Sequence, residues 1–481
     1  MRHSAIVVAV ASVSAIAVPA LARQSESDLE RRMREMAERI ESLEKDNKAL
    51  RNEVGDLRAE QGENWLTEQR ATEIRSLVQD VLADADARAS LQSSGMTAGW
   101  DNGFFLSSPD GRFRLEIEGE IQFRYIFNYR QQENIVDFTD QYKHGFENTR
   151  TRLTFRGHVF DKSLQYLIQG GFSRAGGDAP DSNPQTGEVK GGNFQLYDAW
   201  VRWQFVDEWS LRAGQFKLPF NREELVYSGY QLAIERSLIN ESLNIGRSQG
   251  VELEYQGDWM SWDLAYSDGG TDNLLGGIGQ LVNTFPANSP WSIENVEYSF
   301  TSRLQFLLAG DWKQFQQLTS PPGDPFGVLV GAAMHYQENE FGSSQANVSW
   351  LNSTADISVA FGGANLFSSF TWSYSDGNFG IWNIWGLVVQ GGVYVAPKLE
   401  LYARWELGQI DSNNNLISPP DLSVITAGVN WYIDGQDAKL SLDVGVGLDD
   451  VSQFWASDLA GWRPSATTGQ LVVRTQFQLL F

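Results

Sequence analysis

Between Arg112 and Arg130 apolar and polar residues change places at almost every step. Phe113, Leu115, Ile117, Ile121, Phe123, Tyr125, Phe127 and Tyr129 share one parity. Arg112, Arg114, Glu116, Glu118, Glu120, Gln122, Arg124 and Arg130 share the other. Successive side chains of a β-strand point to opposite faces, so this run has one oily face and one charged face. Strands in soluble sandwiches average about five or six residues, and this one is about three times longer. An apolar-out, polar-in strand that crosses a bilayer and reaches beyond it satisfies both features. The alternation returns at Leu153, Phe155 and Val159, at Ala199, Val201, Trp203 and Phe205, at Val251, Leu253 and Tyr255, at Leu440 to Leu448, and at Leu471 to Phe481.

Turn residues between these runs fall into two kinds. Short turns occur at Asp161-Lys162-Ser163, Asp207-Glu208, Gly257-Asp258, Gly362-Gly363 and Ala396-Pro397-Lys398. Long polar loops lie near 131–146, 174–192, 218–246, 268–293, 338–353, 408–421 and 449–468. Short connections on one side and long ones on the other are the habit of outer-membrane barrels. The pattern predicts an all-β fold, an antiparallel transmembrane barrel of about sixteen strands. A barrel of that size encloses a water-filled lumen rather than a packed core. The strand boundaries are least regular around 296–326, where Pro321, Pro322 and Pro325 lengthen a turn.

The N-terminal part has a different period. From Leu29 the apolar residues step by four and three through Met33, Met36, Ile40, Leu43, Leu50, Val54 and Leu57. That spacing predicts a coiled coil, with Asn47 at an a-type position that fixes register. A second helical stripe covers about 65–91. Before them, Met1-Arg2-His3, an apolar run from Ala5 to Val18 and Pro19-Ala20-Leu21-Ala22 read as a signal peptide. The expected organisation is a signal peptide at 1–22, a periplasmic helical segment at 23–92, a flexible linker at 93–103 and a barrel at 104–481.

Composition sharpens this picture. With 37 Lys+Arg against 61 Asp+Glu the net charge is -24, the wrong sign for nucleic-acid binding. No cysteine is present, which removes disulfides, thiolate metal sites and cysteine nucleophiles. The 17 Trp, 15 Tyr, 27 Phe and 45 Gly suit strands better than helices. Catalysis finds no support: no G-x-S-x-G elbow occurs, and His144, His158 and His335 have no nucleophile pattern beside them. No cofactor or metal-ligand spacing is recognisable, and the expectation is a non-enzyme. Acid-rich loop segments at 137–140 and 449–450 are calcium-site candidates whose plainer reading is a solvated surface.

Two stretches resemble the phosphate-selective porin O and P family. One is Leu196-Tyr197-Asp198-Ala199-Trp200-Val201-Arg202-Trp203, leading into Leu211-Arg212-Ala213-Gly214-Gln215-Phe216-Lys217-Leu218-Pro219-Phe220. The other is Glu235-Arg236-Ser237-Leu238-Ile239-Asn240-Glu241, followed by Arg247-Ser248-Gln249-Gly250-Val251. The resemblance implies that the segment between them is the third external loop, folded into the lumen and narrowing it. It also implies a homotrimer, and Phe481 is similar to the terminal aromatic read by the barrel-assembly machinery.

The residues and the resemblance together predict passive diffusion of small hydrophilic solutes through a lipid-embedded pore, with anions such as phosphate among the candidates. Loop 218–246 is the expected constriction. Its apolar series, Leu225, Val226, Leu232, Ile234, Leu238 and Ile239, would be wasted in water and suggests docking on the inner wall. The expected solute path carries Lys217, Arg222, Arg236, Arg247, Arg202, Arg212, Arg114, Arg124, Arg152 and Arg156. Facing them stand the acids Glu223, Glu224, Glu235, Glu241 and Asp198. The alternative reading is a structural tether, with the coiled coil joining the outer membrane to the cell wall and the pore secondary.

Overall fold

The computed structural model describes residues 18–60, 95–101, 103–131, 141–172, 194–270, 296–340, 347–377, 380–413 and 421–481. The chain divides into two units, 1–94 and 95–481. In the first, Val18–Glu60 forms one helix, α1. Its apolar stripe is bare: Ile40, Leu43, Leu50 and Val54 are all exposed. The second expected helical stripe, 65–91, lies outside the described residues.

In the second unit a small hairpin, β1 (Thr97–Trp100) and β2 (Phe104–Ser107), comes first. The linker expected at 93–103 therefore contains a strand. Its register pairs Trp100 with Phe104, whose rings meet edge-on at 4.8 Å, and this contact orders the stretch. The following strands are β3 (Arg114–Tyr129), β4 (Tyr142–His158), β5 (Leu164–Gly171), β6 (Gln195–Val206), β7 (Trp209–Lys217) and β8 (Arg247–Gln256). Then come β9 (Met260–Ser267), β10 (Val296–Ala309), β11 (Gly327–Glu340), β12 (Asn347–Ala360) and β13 (Ala364–Gly377). The last are β14 (Gly380–Ala396), β15 (Leu399–Ser412), β16 (Leu422–Asp434), β17 (Ala438–Gly447) and β18 (Leu471–Leu480).

Strands β3 to β18 pair antiparallel in sequence order, and β18 returns to β3 with Leu471 opposite Tyr129 and Leu479 opposite Ile121. This is a closed antiparallel barrel of sixteen strands. Closure leaves no unpaired edge, the condition for a sheet to sit in lipid. Phe481 finishes the seam: its carbonyl accepts from the Gly119 amide at 2.6 Å and its own amide donates to Gly119 at 3.1 Å. Below it, β2 pairs with β3 from Phe104–Ile117 to Ser107–Arg114 and prolongs the wall.

Inside and outside follow the parity of the sequence. On β17 and β18 Leu442, Val444, Phe477 and Leu479 are exposed on the outer face, whereas Ser441, Asp443, Arg474 and Gln476 are buried. The rings of Trp203, Phe205, Trp259, Trp405 and Trp431 all stand exposed on the outer face, as aromatic belts do at membrane interfaces.

Arginine at Val444 should cost about 2–4 kcal/mol near the bilayer midplane. The parallel change Gln204→Arg, on the inner face where side chains keep solvent, should be tolerated. Urea titration of folding into lipid vesicles checks both, and equal tolerance would reject the register. Ser441 is no substitute control. It is buried and donates to Asn430 Oδ1 at 2.6 Å, so the lumen has no room for an arginine there.

Candidate functional site

The lumen is occupied chiefly by segment 218–246, which includes two short helices, α2 (Arg222–Leu225) and α3 (Leu238–Leu243). Its apolar series is buried as expected except at Leu225, which is only partly covered. Leu232, Leu238 and Ile239 are almost wholly enclosed, and Val226 and Ile234 nearly so. Ile239 and Leu238 pack with Trp382, Ile384, Val388, Ile410 and Val424 from β14, β15 and β16. The paired glycines Gly386 and Gly408 make room for Ile239 and Trp455, because a Cβ at Gly386 would collide with Ile239 and one at Gly408 with the Trp455 ring.

Packing a loop against a charged wall leaves its carbonyls needing donors. The wall supplies them. Arg303 donates to Phe220 at 2.7 Å, Asn430 to Leu232 at 2.8 Å and Arg404 to Glu235 O at 2.7 Å. Lys439 donates to Gln231 at 3.2 Å and Gln478 to Gly229 at 2.9 Å. In return Glu406 accepts the amide of Leu238 at 2.5 Å, at the start of α3. Ser237 caps that helix by accepting from the Asn240 amide at 2.9 Å.

Ion pairs complete the dock. Glu235 lies between Arg124 at 2.8 Å and Arg150 at 2.6 Å, all three buried. Glu223 accepts the amide and hydroxyl of Ser237 at 2.7 and 2.6 Å. Glu224 meets Arg236 at 3.1 Å and Lys217 at 3.3 Å. Against the burial that would raise it, Arg236 and Lys217 hold the Glu224 carboxyl down at about 2. Glu241 behaves oppositely. Burial, then the Glu235 charge, push it up to about 8 despite Arg236.

Two further segments enter the lumen, and their polar composition had not suggested it. From the short-turn rim, Phe315 and Leu318 of segment 310–326 are buried, Leu318 donating its amide to Tyr230 O at 3.0 Å. From the long-loop rim, segment 449–469 buries Val451, Trp455 and Trp462. Its carbonyls at Leu459, Ala460 and Gly461 accept from Arg124, Arg474 and Asn128 at 2.6, 2.9 and 2.9 Å. The sequence signal for both was the same as for 218–246: large apolar residues within a polar loop.

The arginines therefore divide. Arg124, Arg303, Arg404 and Arg474 are at most 1% exposed and engaged with the loops or wall. Of two others expected on the path, Arg222 faces the loop–wall contact and Arg236 is buried within the loop itself. Arg222 donates to Ser358 Oγ at 2.8 Å and Phe315 O at 2.5 Å, and burial pulls its guanidinium down to about 10. Arg236 donates to Glu223 O at 3.1 Å. Those that keep solvent lie on β3 to β8: Arg156 at 50%, Arg202 at 26%, Arg114 at 23%, Arg212 at 20% and Arg247 at 18%. Each has a carboxylate beside it: Glu116 or Glu118 for Arg156, Glu254 for Arg202, Glu116 for Arg114, Glu252 for Arg212 and Asp198 for Arg247.

Tyr197 is the site residue that alternation hid. The register shifts between Gln169 and Gly170, opposite Asp198 and Leu196, so β6 bulges at Tyr197. Its ring lies over Gly171, where a Cβ would strike it. Arg152 stacks on the ring at 4.5 Å and Arg247 at 5.0 Å. The bulge thus holds two guanidiniums, both expected on the solute path, against one aromatic ring.

Residues 120–274 match the family model "Phosphate-selective porin O and P". An uncharacterised protein of Aquifex aeolicus (strain VF5) is 24% identical over 262 residues. The match covers 51% of this chain and 61% of that protein, so this chain spans about three fifths of its curated relative. Two solved structures share the fold at 12% identity and TM-score 0.51. The anion-selective porin from Comamonas acidovorans is covered to 99% by 76% of this chain. Salmonella typhi OmpF, in complex with daunomycin, is covered to 100% by 80%. The chain is thus a sixteen-stranded β-barrel whose fold is that of these porins and whose residues 120–274 resemble the porin O and P family.

Glu241 gives a pH prediction. Its native carboxyl keeps a proton to about pH 8 and its unfolded carboxyl loses it near the ordinary 4.5. Between those values the native loop binds more protons, so its stability falls as pH rises through about 8. Glu241→Gln should leave amide protection in α3 unchanged near pH 4 and raise it above pH 8. Hydrogen exchange corrected for the intrinsic rate measures this; identical pH profiles would refute the assignment.

Proposed function

We propose that this chain, which carries the phosphate-selective porin O and P pattern across residues 120–274, forms a diffusion channel for small hydrophilic solutes, anions such as phosphate among them. Segment 218–246 is its constriction. The observation that carries this reading is the one-sided docking of that segment. It covers the wall from β10 to β18 and reaches Glu120, Arg124 and Arg150 on β3 and β4, leaving Arg114, Arg156, Arg202, Arg212 and Arg247 on β3 to β8 partly in contact with solvent. Solutes would pass between the loop edge, at Lys217, Glu224 and Glu241, and the wall residues Arg114, Arg152, Arg156, Arg202, Arg212 and Arg247.

A narrow passage with low-dielectric walls focuses the field of charges that remain in water. Arg156, Arg202 and Arg247 together set the anion side of the balance, against Glu116, Glu118, Glu254 and Asp198. Replacing the three arginines with Gln should shift the reversal potential in a salt gradient toward cations. Arg222→Gln and Arg236→Gln should instead loosen the loop and raise open-channel noise without that shift. Planar-bilayer recording separates the cases; an unchanged reversal potential in the triple variant would overturn the proposed path.

Self-association of the helical segment into a homotrimer is the partner reading favoured by the exposed stripe Ile40, Leu43, Leu50 and Val54 with Asn47 in register. Phe481, bonded across the seam, is the proposed mark for the assembly machinery. Deleting residues 23–92 should preserve unit conductance while lowering the temperature at which oligomers dissociate on a native gel. If the deletion spares the oligomer but makes the envelope leak, a cell-wall tether is the better account.

A further inference from the structure

A cleft of about 320 Å³ opens at the long-loop rim between β3, β4 and segment 449–469. It lies next to the Arg124–Glu235 pair, on the outer side of the constriction, and nothing in the channel reading uses it. Its charges are arranged in two poles. Lys143 pairs in register with Asn128, one residue from the end of β3, and Arg463 belongs to the same rim, where Asn128 holds Gly461. Four residues deeper Glu147 pairs with Arg124, and Asp458 stands beside Leu459, whose carbonyl Arg124 holds. Ile126 and Leu459 make an apolar floor between the poles.

A second observation points to a ligand. Asn128 is 2% exposed, and its amide nitrogen is used by Gly461 O and Gln470 Oε1. Its Oδ1 lacks a hydrogen-bond partner. A buried acceptor left unmatched costs free energy that an incoming N–H recovers. The cleft therefore presents cations at its outer end, an unmatched buried acceptor and apolar floor in the middle, and carboxylates at its inner end.

We propose that this cleft binds zwitterionic solutes of about dipeptide length, carboxylate outward and ammonium inward. Four residues of strand separate the Cα atoms of the poles by about 13 Å. Side chains reaching from each pole shorten that gap toward the roughly 7 Å of an extended dipeptide. The carboxylate meets Lys143 and Arg463, and the ammonium meets Glu147 and Asp458. The peptide N–H faces Asn128 Oδ1. A simple anion is matched at one end only, and a capped peptide at neither. The site rests on the channel reading only for the side from which solute arrives.

The test is equilibrium dialysis of the purified full-length chain in detergent with radiolabelled dialanine. The probe for comparison is N-acetyl-dialanine amide. Saturable one-site binding is expected, at least tenfold weaker for the capped peptide. The double variant E147Q/D458N should lose about tenfold in affinity, as removal of charge-assisted hydrogen bonds does. K143Q, at the exposed rim, should also weaken binding and needs no change in the interior. Heat-modifiability on a gel confirms that each variant is a folded barrel. Absence of saturable binding overturns the proposal. So does equal binding of capped and free peptide, or wild-type affinity in both variants. Conductance measured on the same preparations tests the channel reading separately, because dialysis needs no open pore.

Discussion

The carboxylate of Glu235, held between Arg124 and Arg150 with all three side chains buried, is the interaction on which the inside of the barrel turns. Each of these ions loses several kcal/mol of hydration on burial, and mutual attraction compensates only when the set is complete. A loop that undocked would strand two guanidiniums on an inner wall; a wall that lost them would strand a carboxylate. Neither part is stable in this geometry without the other. Specific partners therefore fix the position of 218–246, while the apolar series contributes much of the non-directional attraction.

The same requirement accounts for the wall on the far side. Arg303, Arg404, Asn430, Lys439 and Gln478 come from five strands, and all donate to loop carbonyls. Polar residues facing a lumen are usually read as solvated. Here they replace the water that the loop's backbone would otherwise need. Segments 310–326 and 449–469 add anchors from opposite rims through Tyr230 O and the Leu238–Trp455 cluster. Solvent is left with the part of the inner wall that the loop does not reach, where Arg114, Arg156, Arg202, Arg212 and Arg247 stay partly exposed.

Barrel, parity and strand number were legible in the sequence because membrane burial imposes a strict period of two and closure forces every strand to obey it. Val444 faces out and Asp443 in for the same reason that neighbouring strands alternate. The docking of 218–246 was legible too, through Leu232, Leu238 and Ile239. The individual fates of the arginines were not. Arg222 and Arg247 look alike along the chain. One is buried against Phe315 O, and the other pairs with Asp198 at the edge of solvent. That difference depends on where a loop folds back, which no local period encodes. Tyr197 was hidden by a bulge, since one extra residue reverses the parity from which its direction would be read. Within the expected linker at 93–103 the glycines masked a short strand, Thr97–Trp100, held by Trp100 on Phe104.

Counting charges by residue type consequently misstates the field a solute would meet. The chain is strongly acidic, yet much of its charge near the docked loop is cancelled in contact pairs such as Arg303–Asp356 and Arg474–Asp443, both buried. A cancelled pair offers a passing ion little monopole field. What acts on solute is the set that keeps water, and there too every guanidinium has a carboxylate within reach, as Arg156 has Glu116 and Glu118. Fields of such pairs fall off faster with distance than those of single charges. On the proposed reading, the path discriminates by short-range contact more than by long-range attraction. A dense ladder of unpaired cations would concentrate anions from bulk solution. A paired wall instead favours solutes small enough to approach both members of a pair, and on the proposed reading a preference for anions would rest on the few guanidinium edges that Tyr197 and Asp198 hold toward solvent.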